Sequence, residues 1–285
     1  MIKIKNLKLD RGQFCLQIKD LHIEKGDKIG IIGHNGAGKS TFINCLIGEA
    51  KYTGEIIKNT DKIAVHLQFN NYFDIKIKYI IECIIGNRIK NDARIQELIE
   101  YFDFGKNLNK KYKKLSGGEK QRLTLILVLY QNGDVTILDE VTSGFDFETR
   151  NRLNKRLRDY LGESDKTVLM VSHYYEELIG FVDKIMLLDH GKVVAFDTIA
   201  SLFDRYIGGS VILFDEGQIE TALLSKYHKI ISKKGTEAYC LKDKTEEKEL
   251  IELLLNHNIN FKRCNDDIEI LTMNMLKGNN IQNFL

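Results

Sequence analysis

Alternating apolar and polar positions open the chain and predict a β-hairpin. Residues 2–9 and 13–24 place apolar side chains at nearly every second position, with one slip, around a turn at residues 10–12. A short apolar run at residues 28–32 follows and indicates a buried strand. Beyond it, apolar side chains recur at the spacing of a helix, at Phe42, Ile43, Leu46 and Ile47. The chain therefore passes from a predicted strand into a predicted helix across a short loop.

Four further apolar runs predict core strands, at residues 53–57, 63–68, 135–138 and 167–171. A second hairpin is predicted around His190 and Gly191, between residues 184–188 and 193–196. Residues 70–90 mix apolar and basic side chains and indicate short helices. The predicted fold class is α/β, with a mixed β core and a helical subdomain.

Two helices carry signals at their N-termini. Residues 93–102 have apolar side chains on one face, and Asp92 precedes them as an N-cap. Ser116 and Glu119 have the spacing of a capping box before an apolar run. Gly117 and Gly118 lie in the first turn of that helix, where glycine is unfavourable. We therefore expect the backbone there to approach another group closely.

The last 75 or so residues form a separate pattern after residues 206–210. Strands are predicted at residues 211–214, 229–232, 237–241, 259–264 and 268–272. Helices are predicted around residues 219–227 and over residues 246–256. This order approaches a ferredoxin-like βαββαβ arrangement, and no motif in it carries chemistry. We predict two domains, residues 1–204 and a small α+β accessory domain at residues 205–285.

Composition excludes several classes of protein. Apolar residues make up 43% and charged residues 29% of the 285 positions, as in ordinary globular chains. The formal net charge of +2 is too small to argue for a nucleic-acid partner. No apolar run is long enough for a membrane span, and the N-terminus lacks the apolar core of a signal peptide. The five cysteines are scattered, which suggests reduced thiols in a cytoplasmic protein.

The loop between the third predicted strand and the first predicted helix fits the phosphate-binding pattern G-x-x-x-x-G-K-[ST]. It reads Gly33-His34-Asn35-Gly36-Ala37-Gly38-Lys39-Ser40-Thr41. Successive backbone N–H groups in such a loop converge on a phosphate, and the helix N-terminus adds partial positive charge. Lys39 is expected to reach the β- and γ-phosphates, and Ser40 to offer its hydroxyl to Mg²⁺.

Other chemistry-bearing residues follow predicted strands. Asp139 and Glu140 come at the end of one apolar run, and Ser172 and His173 at the end of another. Acidic residues in that position, on a chain with a phosphate-binding loop, suit the handling of a metal ion and water. A single histidine after a strand more often has only a packing role, so its function depends on what lies beside it.

Five motifs stand in one order: the phosphate-binding loop, Gln68, residues 115–119, the strand ending in Asp139 and Glu140, and His173. In the presence and order of these motifs, residues 1 to about 204 resemble the ATP-binding cassette (ABC) ATPases. The resemblance implies ATP and Mg²⁺ as cofactors. It implies that Gln68, Glu140 and His173 are catalytic, with Glu140 as general base. It also implies Ser40, Gln68 and Asp139 as metal ligands.

The same resemblance implies nucleotide contacts for every residue of the loop Gly33–Thr41. It further implies that Ser116, Gly117 and Gly118 contact ATP held by a second ABC domain, and that Asp146 belongs to the adjoining loop. The family usually stacks adenine on a side chain upstream of the phosphate-binding loop. Arg11 and Phe14 are both candidates here.

Residues 172–177 and 191–196 resemble those of the ATPase subunits of drug, lantibiotic or peptide exporters. The implied function is to power export through a separate integral-membrane permease, as a homodimer or heterodimer of ABC domains. The expected location is cytoplasmic, on the inner face of the cell membrane. One alternative is an ABC ATPase without a transport role, such as a cluster-assembly ATPase. The other alternative is a binding module that does not hydrolyse ATP. The presence of both Glu140 and His173 argues against this alternative.

Overall fold

The computed structural model describes residues 1–66, 72–162 and 165–278, so Gln68 lies outside the described residues. The chain divides into two compact units. The first comprises residues 1–183 and 190–192, and the second comprises residues 184–189 and those from 193 onward. The domain boundary expected between residues 204 and 205 stays a prediction.

The first unit alternates strands and helices along most of its length. Its elements are β1 (Ile2–Arg11), β2 (Phe14–Ile23), β3 (Lys28–Ile32), α1 (Lys39–Ile47), β4 (Thr53–Lys58), β5 (Ile63–His66), α2 (Ile77–Ile85), α3 (Ala93–Tyr101), α4 (Gly117–Gln131), β6 (Val135–Asp139), α5 (Phe147–Leu161), β7 (Thr167–Val171) and α6 (Tyr175–Leu178). The predicted α/β class is confirmed.

The strands of the first unit pair in two ways. β1 pairs antiparallel with β2 and with β4. The order β3-β7-β6-β5 is parallel throughout. Every residue of β3, β6 and β7 is buried, as expected for central parallel strands. Parallel strands end at a common edge of the sheet, so the segments that follow β3, β6 and β7 meet there.

Local capping explains where two helices of this unit begin. The Asp92 side chain accepts a hydrogen bond of 3.0 Å from the Ile95 amide and starts α3, so the predicted N-cap is confirmed. At α4 the Ser116 hydroxyl accepts from the Glu119 amide at 3.2 Å. The Glu119 carboxylate accepts from the Ser116 amide at 2.9 Å, which completes the predicted capping box.

The second unit is a smaller α+β structure. Its elements are β8 (Lys184–Asp189), β9 (Lys192–Thr198), α7 (Ile199–Tyr206), β10 (Ser210–Asp215), β11 (His228–Ile230), β12 (Thr236–Leu241), α8 (Lys244–Asn256), β13 (Phe261–Cys264) and α9 (Ile268–Leu276). An antiparallel sheet runs in the order β11-β12-β10-β13. The Phe214 and Tyr239 rings stack 5.7 Å apart in its core, with Leu250 and Leu254 of α8 in the same cluster.

Two predictions for this unit are wrong, and with them the βαββαβ order. Residues 268–272 form a helix instead of a strand, because the Asp267 carboxylate caps the Ile270 amide at 3.1 Å and starts α9. Apolar residues on two faces of a short helix resemble a buried strand in sequence. The helix predicted around residues 219–227 is only a single 3₁₀ turn, Thr221–Leu224.

Among the helices of the described residues, none combines the length and apolar character needed to cross a bilayer.

Candidate active site

The phosphate-binding loop connects β3 to α1 in a backbone conformation that glycine permits. Gly36 and Gly38 have φ angles of +82° and +108°, which side chains other than glycine rarely adopt. Gly38 occupies the N-cap of α1 and has no side chain to bond the first amides of the helix. A Cβ atom at Gly38 would also lie 2.8 Å from Cζ of Phe14. The open amides of α1 make this end suitable for an anion.

A hairpin tip of the first unit supports the same loop. The Gly191 amide donates a 2.9 Å hydrogen bond to the Ala37 carbonyl, and the Gly191 carbonyl accepts from the Gln17 amide at 2.7 Å. The His190 ring packs edge-on against the His34 ring, with centroids 4.9 Å apart. Residues 190 and 191, the turn of the predicted hairpin, thus link the phosphate-binding loop to β2.

Lys39 folds back over the loop that precedes it. Its ammonium group donates to the Gly33 carbonyl at 2.7 Å and to the His34 carbonyl at 3.2 Å. Burial lowers the pKa of Lys39, and the negative charges of Glu140 and Asp139 act in the opposite direction. The side chain is therefore a buried cation held beside two carboxylates, ready to exchange carbonyl partners for phosphate oxygens.

Asp139 ends β6, and Glu140 follows in a left-handed conformation with a φ of +49°. The Glu140 amide donates to the Val171 carbonyl at 3.1 Å, which anchors this turn to the end of β7. Burial, reinforced by the charge of Glu140, raises the pKa of Asp139 to about 6. A buried carboxylate with a raised pKa is a good partner for a cation, because the cation offsets the cost of ionisation.

His173 approaches Glu140 from the end of the neighbouring strand β7. The distance from Nε2 of His173 to Oε1 of Glu140 is 2.7 Å. Both side chains are partly exposed, at 38% and 19% respectively, so a ligand can reach them. The sequence alone did not indicate which group lies beside His173, and the answer is the other strand-end residue of the predicted site.

Lys39, Glu140 and His173 line one cavity of about 490 Å³ within the first unit, whereas Asp139 is not among its lining residues. Its lining residues are Arg11, Phe14, Asn35, Gly36, Ala37, Gly38, Lys39, Ser40, Thr41, Glu140 and His173. Gly33 and His34 contact the cavity residue Lys39 through their carbonyls. Arg11 and Phe14 both line the cavity, so the choice between them for adenine stays open.

The remaining described site residues lie elsewhere in the same unit. Ser116, Gly117, Gly118 and Asp146 are absent from the cavity lining within the described ranges. A Cβ atom at Gly118 would overlap the Phe145 ring, and the Gln121 amide group donates to the Ser143 carbonyl at 2.7 Å. Asp146 caps α5 by accepting from the Thr149 amide at 2.9 Å. The predicted close approach to glycine therefore exists at Gly118, and its partner is a phenyl ring.

Sequence reasoning missed a polar network behind the cavity, centred on Glu177. This carboxylate is 3% exposed and contacts Thr142, Ser172 and Arg150. The signal available in the sequence was weak. Ser172 and Glu177 lie in the segment 172–177 that resembles exporter subunits, but that resemblance implied no role for either residue. Only the fold brings Thr142 and Arg150 to them.

The fold and cavity define a P-loop nucleotide-binding protein, and comparison with known proteins narrows the class. Residues 16–143 match the family model described as ABC transporter. Methionine import ATP-binding protein MetN of Clostridium acetobutylicum is 29% identical in an alignment 225 residues long, and the alignment covers 71% of this chain and 70% of that protein. Nod factor export ATP-binding protein I of Burkholderia thailandensis is 29% identical over 208 residues, covering 67% of this chain and 68% of that protein.

A solved structure agrees with this. The dimeric structure of MJ0796, described as a bacterial ABC transporter cassette, has a TM-score of 0.60 and 25% sequence identity. The aligned region covers 70% of this chain and 98% of the MJ0796 chain. Residues 16–143 therefore match the ABC transporter family, and the chain is similar in sequence and fold to the ATP-binding subunits of ABC transporters.

Proposed function

We propose that the cavity in the first unit binds ATP with Mg²⁺ and hydrolyses it, and that this cycle powers export through a separate membrane permease. The observation that carries the proposal is the convergence of Lys39, Glu140 and His173 on one cavity below the open amides of α1. Each of these groups has the charge or proton-transfer capacity that phosphoryl transfer from ATP to water requires.

The residues present fit a divalent cation. Asp139 is a buried carboxylate whose raised pKa shows that its charge lacks full compensation, and the Ser40 hydroxyl belongs to the cavity lining. Mg²⁺ prefers such oxygen ligands and, when bound, neutralises charge on the phosphates. We propose Ser40 and Asp139 as its protein ligands. Gln68, proposed as a further ligand and as a contact to the attacking water, lies outside the described residues.

The chain's own residues have distinct proposed roles. The amides of the loop from Gly33 to Thr41 and the Lys39 ammonium hold the phosphates. Glu140 accepts a proton from the attacking water, and its left-handed backbone directs it away from β6 toward His173. His173 contacts the γ-phosphate and steadies the Glu140 carboxylate through the 2.7 Å contact.

We propose that a second ABC domain completes each site. Ser116, Gly117 and Gly118 lie outside the cavity lining, yet the open space at Gly117 leaves that helix start accessible. MJ0796, whose structure is described as dimeric, supports a paired arrangement. The pair would sit on the cytoplasmic face of the cell membrane, held there by the permease.

The direction of transport rests on different observations. Residues 172–177 and 191–196 resemble exporter subunits, and proteins named for Nod factor export and teichoic acids export are among the relatives. Other relatives are named for methionine import, which makes an importer the second candidate. The subunit that co-purifies with this chain from its source membrane, and the substrate that it moves into or out of vesicles, would decide between the two.

Residues 205–285 are proposed to be an accessory domain without a role in hydrolysis, because none of the predicted site residues belongs to it. A chain truncated near Gly208 should keep an ATPase rate within a few-fold of the full chain. Lost turnover in a truncated chain that remains folded would contradict this division.

The experiment that tests the proposed reaction is the comparison of ATP binding with ATP turnover in Glu140→Gln. Glutamine keeps the shape of the side chain but cannot act as a base. We expect unchanged ATP affinity and a turnover lowered by about 10²–10⁴-fold, the usual contribution of a positioned base. Turnover at the rate of the natural sequence would remove Glu140 from the mechanism.

A further inference from the structure

The carboxylate of Glu177, on α6, is buried and has no role in the proposed reaction. Oε1 accepts a hydrogen bond from the Thr142 hydroxyl, and Oε2 accepts one from the Ser172 hydroxyl at 2.5 Å. Nε of Arg150 lies 3.6 Å from Oε1, the distance of an ion pair. A buried carboxylate is strongly unfavourable unless such partners satisfy it. Two hydroxyl donors and one guanidinium charge, from three separate segments, therefore converge on one side chain.

One of these segments carries His173. The Ser172 hydroxyl that donates to Glu177 also accepts a 2.9 Å hydrogen bond from the Tyr174 amide. The residues on both sides of His173 are thus tied to Glu177 through a single hydroxyl group. This leaves the His173 backbone little freedom to move relative to α6.

A second segment carries Glu140. Thr142 follows Glu140 by two residues in the turn after β6, and its hydroxyl occupies the other oxygen of Glu177. The 2.7 Å contact between Glu140 and His173 joins side chains from two different strand ends. Glu177 cross-links those same two strand ends from the buried side.

The third segment begins α5. The Arg150 guanidinium lies 3.4 Å from the centre of the Tyr174 ring and donates to the Phe145 carbonyl at 3.3 Å. Phe145 precedes Asp146 and packs against Gly118. The network centred on Glu177 therefore extends from the His173 loop to the turn that faces the start of α4.

We propose that Glu177 is a positioning residue for hydrolysis, which holds Glu140 and His173 in their mutual orientation by binding Thr142 and Ser172. This inference rests on the proposed ATPase function of the same site. Glu177 is not part of the cavity lining in the described residues, so it acts through its neighbours. The phosphate-binding loop on β3 and α1 is held by separate contacts, to Gly191 among others. Loss of Glu177 should therefore impair turnover and spare ATP binding.

The test compares Glu177→Gln with Glu176→Gln in the full chain. Glu176 is the exposed neighbour of Glu177 on the same helix and provides the matched control. Glutamine keeps the size of the side chain, but its NH₂ group cannot accept the second hydroxyl bond. We expect Glu177→Gln to lower kcat by about 10- to 100-fold, as a small misplacement of reacting groups does. KM and the equilibrium affinity for ATP should stay within about twofold for both variants.

A second pair of variants separates positioning from stability and covers the case in which Glu177→Gln does not fold. Thr142→Val removes one hydroxyl donor at nearly constant volume, and Thr142→Ser retains it. We expect kcat to fall several-fold in Thr142→Val and to recover in Thr142→Ser. In the Glu177→Gln background, Thr142→Val should lower kcat by a smaller factor than in the natural sequence, because Glu177→Gln has already removed one of the two hydroxyl bonds to this side chain.

Three results decide the matter. If folded Glu177→Gln turns over ATP as fast as Glu176→Gln, or if Thr142→Val and Thr142→Ser have equal kcat, the positioning role is overturned. If Glu177→Gln loses ATP affinity in proportion to its lost turnover, Glu177 has only a structural role, and the inference is also overturned. If the natural sequence does not hydrolyse ATP, the proposed function has failed. If it does, and Glu140→Gln hydrolyses ATP equally fast, Glu140 is not the base, and the inference that Glu177 positions it is overturned while the ATPase function stands.

Discussion

Two helices of the first unit, α1 and α4, begin with glycine-rich segments, and the two N-termini are organised differently. At α1 the N-cap is Gly38, so the first amides face the cavity without a side-chain partner from that position. At α4 the capping box of Ser116 and Glu119 already satisfies two of the amides, and Lys110 pairs with Glu119 at 2.7 Å. One N-terminus is open to a ligand within its own chain, whereas the other is stabilised from within.

The glycines of the two segments also serve different purposes. Gly36 and Gly38 have positive φ angles that shape the loop itself. Gly118 instead lacks a side chain where the Phe145 ring packs, and Gly117 faces open space. Similar composition therefore has two physical causes, which are backbone conformation at α1 and close packing at α4. Of these four glycines, only Gly117 has neither a positive φ nor a close packing partner within the described chain. We propose that ATP held by a second ABC domain approaches the backbone at this position.

The largest effect that tests this comparison is expected from Lys39→Ala. Removing the cation that faces the phosphates should cost about 2–5 kcal/mol of ATP affinity, roughly 30-fold or more, because the phosphate charge loses its buried partner. Lys120→Ala, in the first turns of α4, is the matched control and should leave ATP affinity of the single chain unchanged. Isothermal titration with ATP and Mg²⁺ measures both. Equal losses of ATP affinity in Lys39→Ala and Lys120→Ala would contradict the conclusion that only the start of α1 binds ATP within its own chain.

Mixing two inactive variants tests whether α4 serves the site of a second chain. Ser116→Arg should block hydrolysis while leaving ATP binding to the single chain intact, since an arginine would obstruct the interface. Mixed with Lys39→Ala, it should regain activity, because each mixed dimer then holds one intact phosphate-binding loop opposite one intact α4 start. The ATPase rate of the mixture is compared with that of each variant alone.

Two outcomes would contradict the shared site. One is a mixture that stays inactive although mixed dimers form, as detected with two different affinity tags. The other is a strictly monomeric preparation that hydrolyses ATP at the full rate.

Gly118→Ala is expected to act mainly on stability. The added methyl group overlaps the Phe145 ring, and such overpacking typically costs about 1–3 kcal/mol. Thermal unfolding of the single chain measures the loss. Combining the change with Phe145→Leu should recover part of the stability, because the smaller side chain vacates the contact. An unchanged Tm in Gly118→Ala would mean that Phe145 moves aside without cost.

Gly117→Ala has the smallest expected effect on the stability of the fold. It should stabilise the chain slightly, whereas Gly118→Ala should destabilise it. Nothing lies within 4 Å of a Cβ at this position, and alanine favours helix by up to about 1 kcal/mol over glycine. The single chain should therefore unfold at an equal or higher temperature and bind ATP normally. Turnover should nevertheless fall if a phosphate of the paired chain approaches this backbone. A variant that gains stability and keeps full turnover would remove Gly117 from the shared site.

Local features could be predicted from sequence because each depends on neighbouring residues. The phosphate-binding loop, the N-cap at Asp92 and the capping box of Ser116 and Glu119 were all expected, and the structure contains them. The resemblance to ABC ATPases implied that Asp139, Glu140 and His173 share a site with that loop, and the parallel order of β3, β7 and β6 brings the ends of these strands to one edge. Hydrophobic periodicity gave the wrong prediction at residues 268–272, where a short apolar segment fits both a strand and a helix.

What the sequence determined by itself, then, is the chemistry of the cavity: which residues carry the charge, the hydroxyl and the backbone amides. The tertiary structure decided which of these groups touch. It brings His173 to 2.7 Å from Glu140, seats Phe145 on Gly118 and gathers Thr142, Arg150 and Ser172 around Glu177. These contacts join residues on different loops and helices, and they depend on how strands and helices pack. No local pattern encodes that packing, because the free energy that selects it comes from burial over the whole unit.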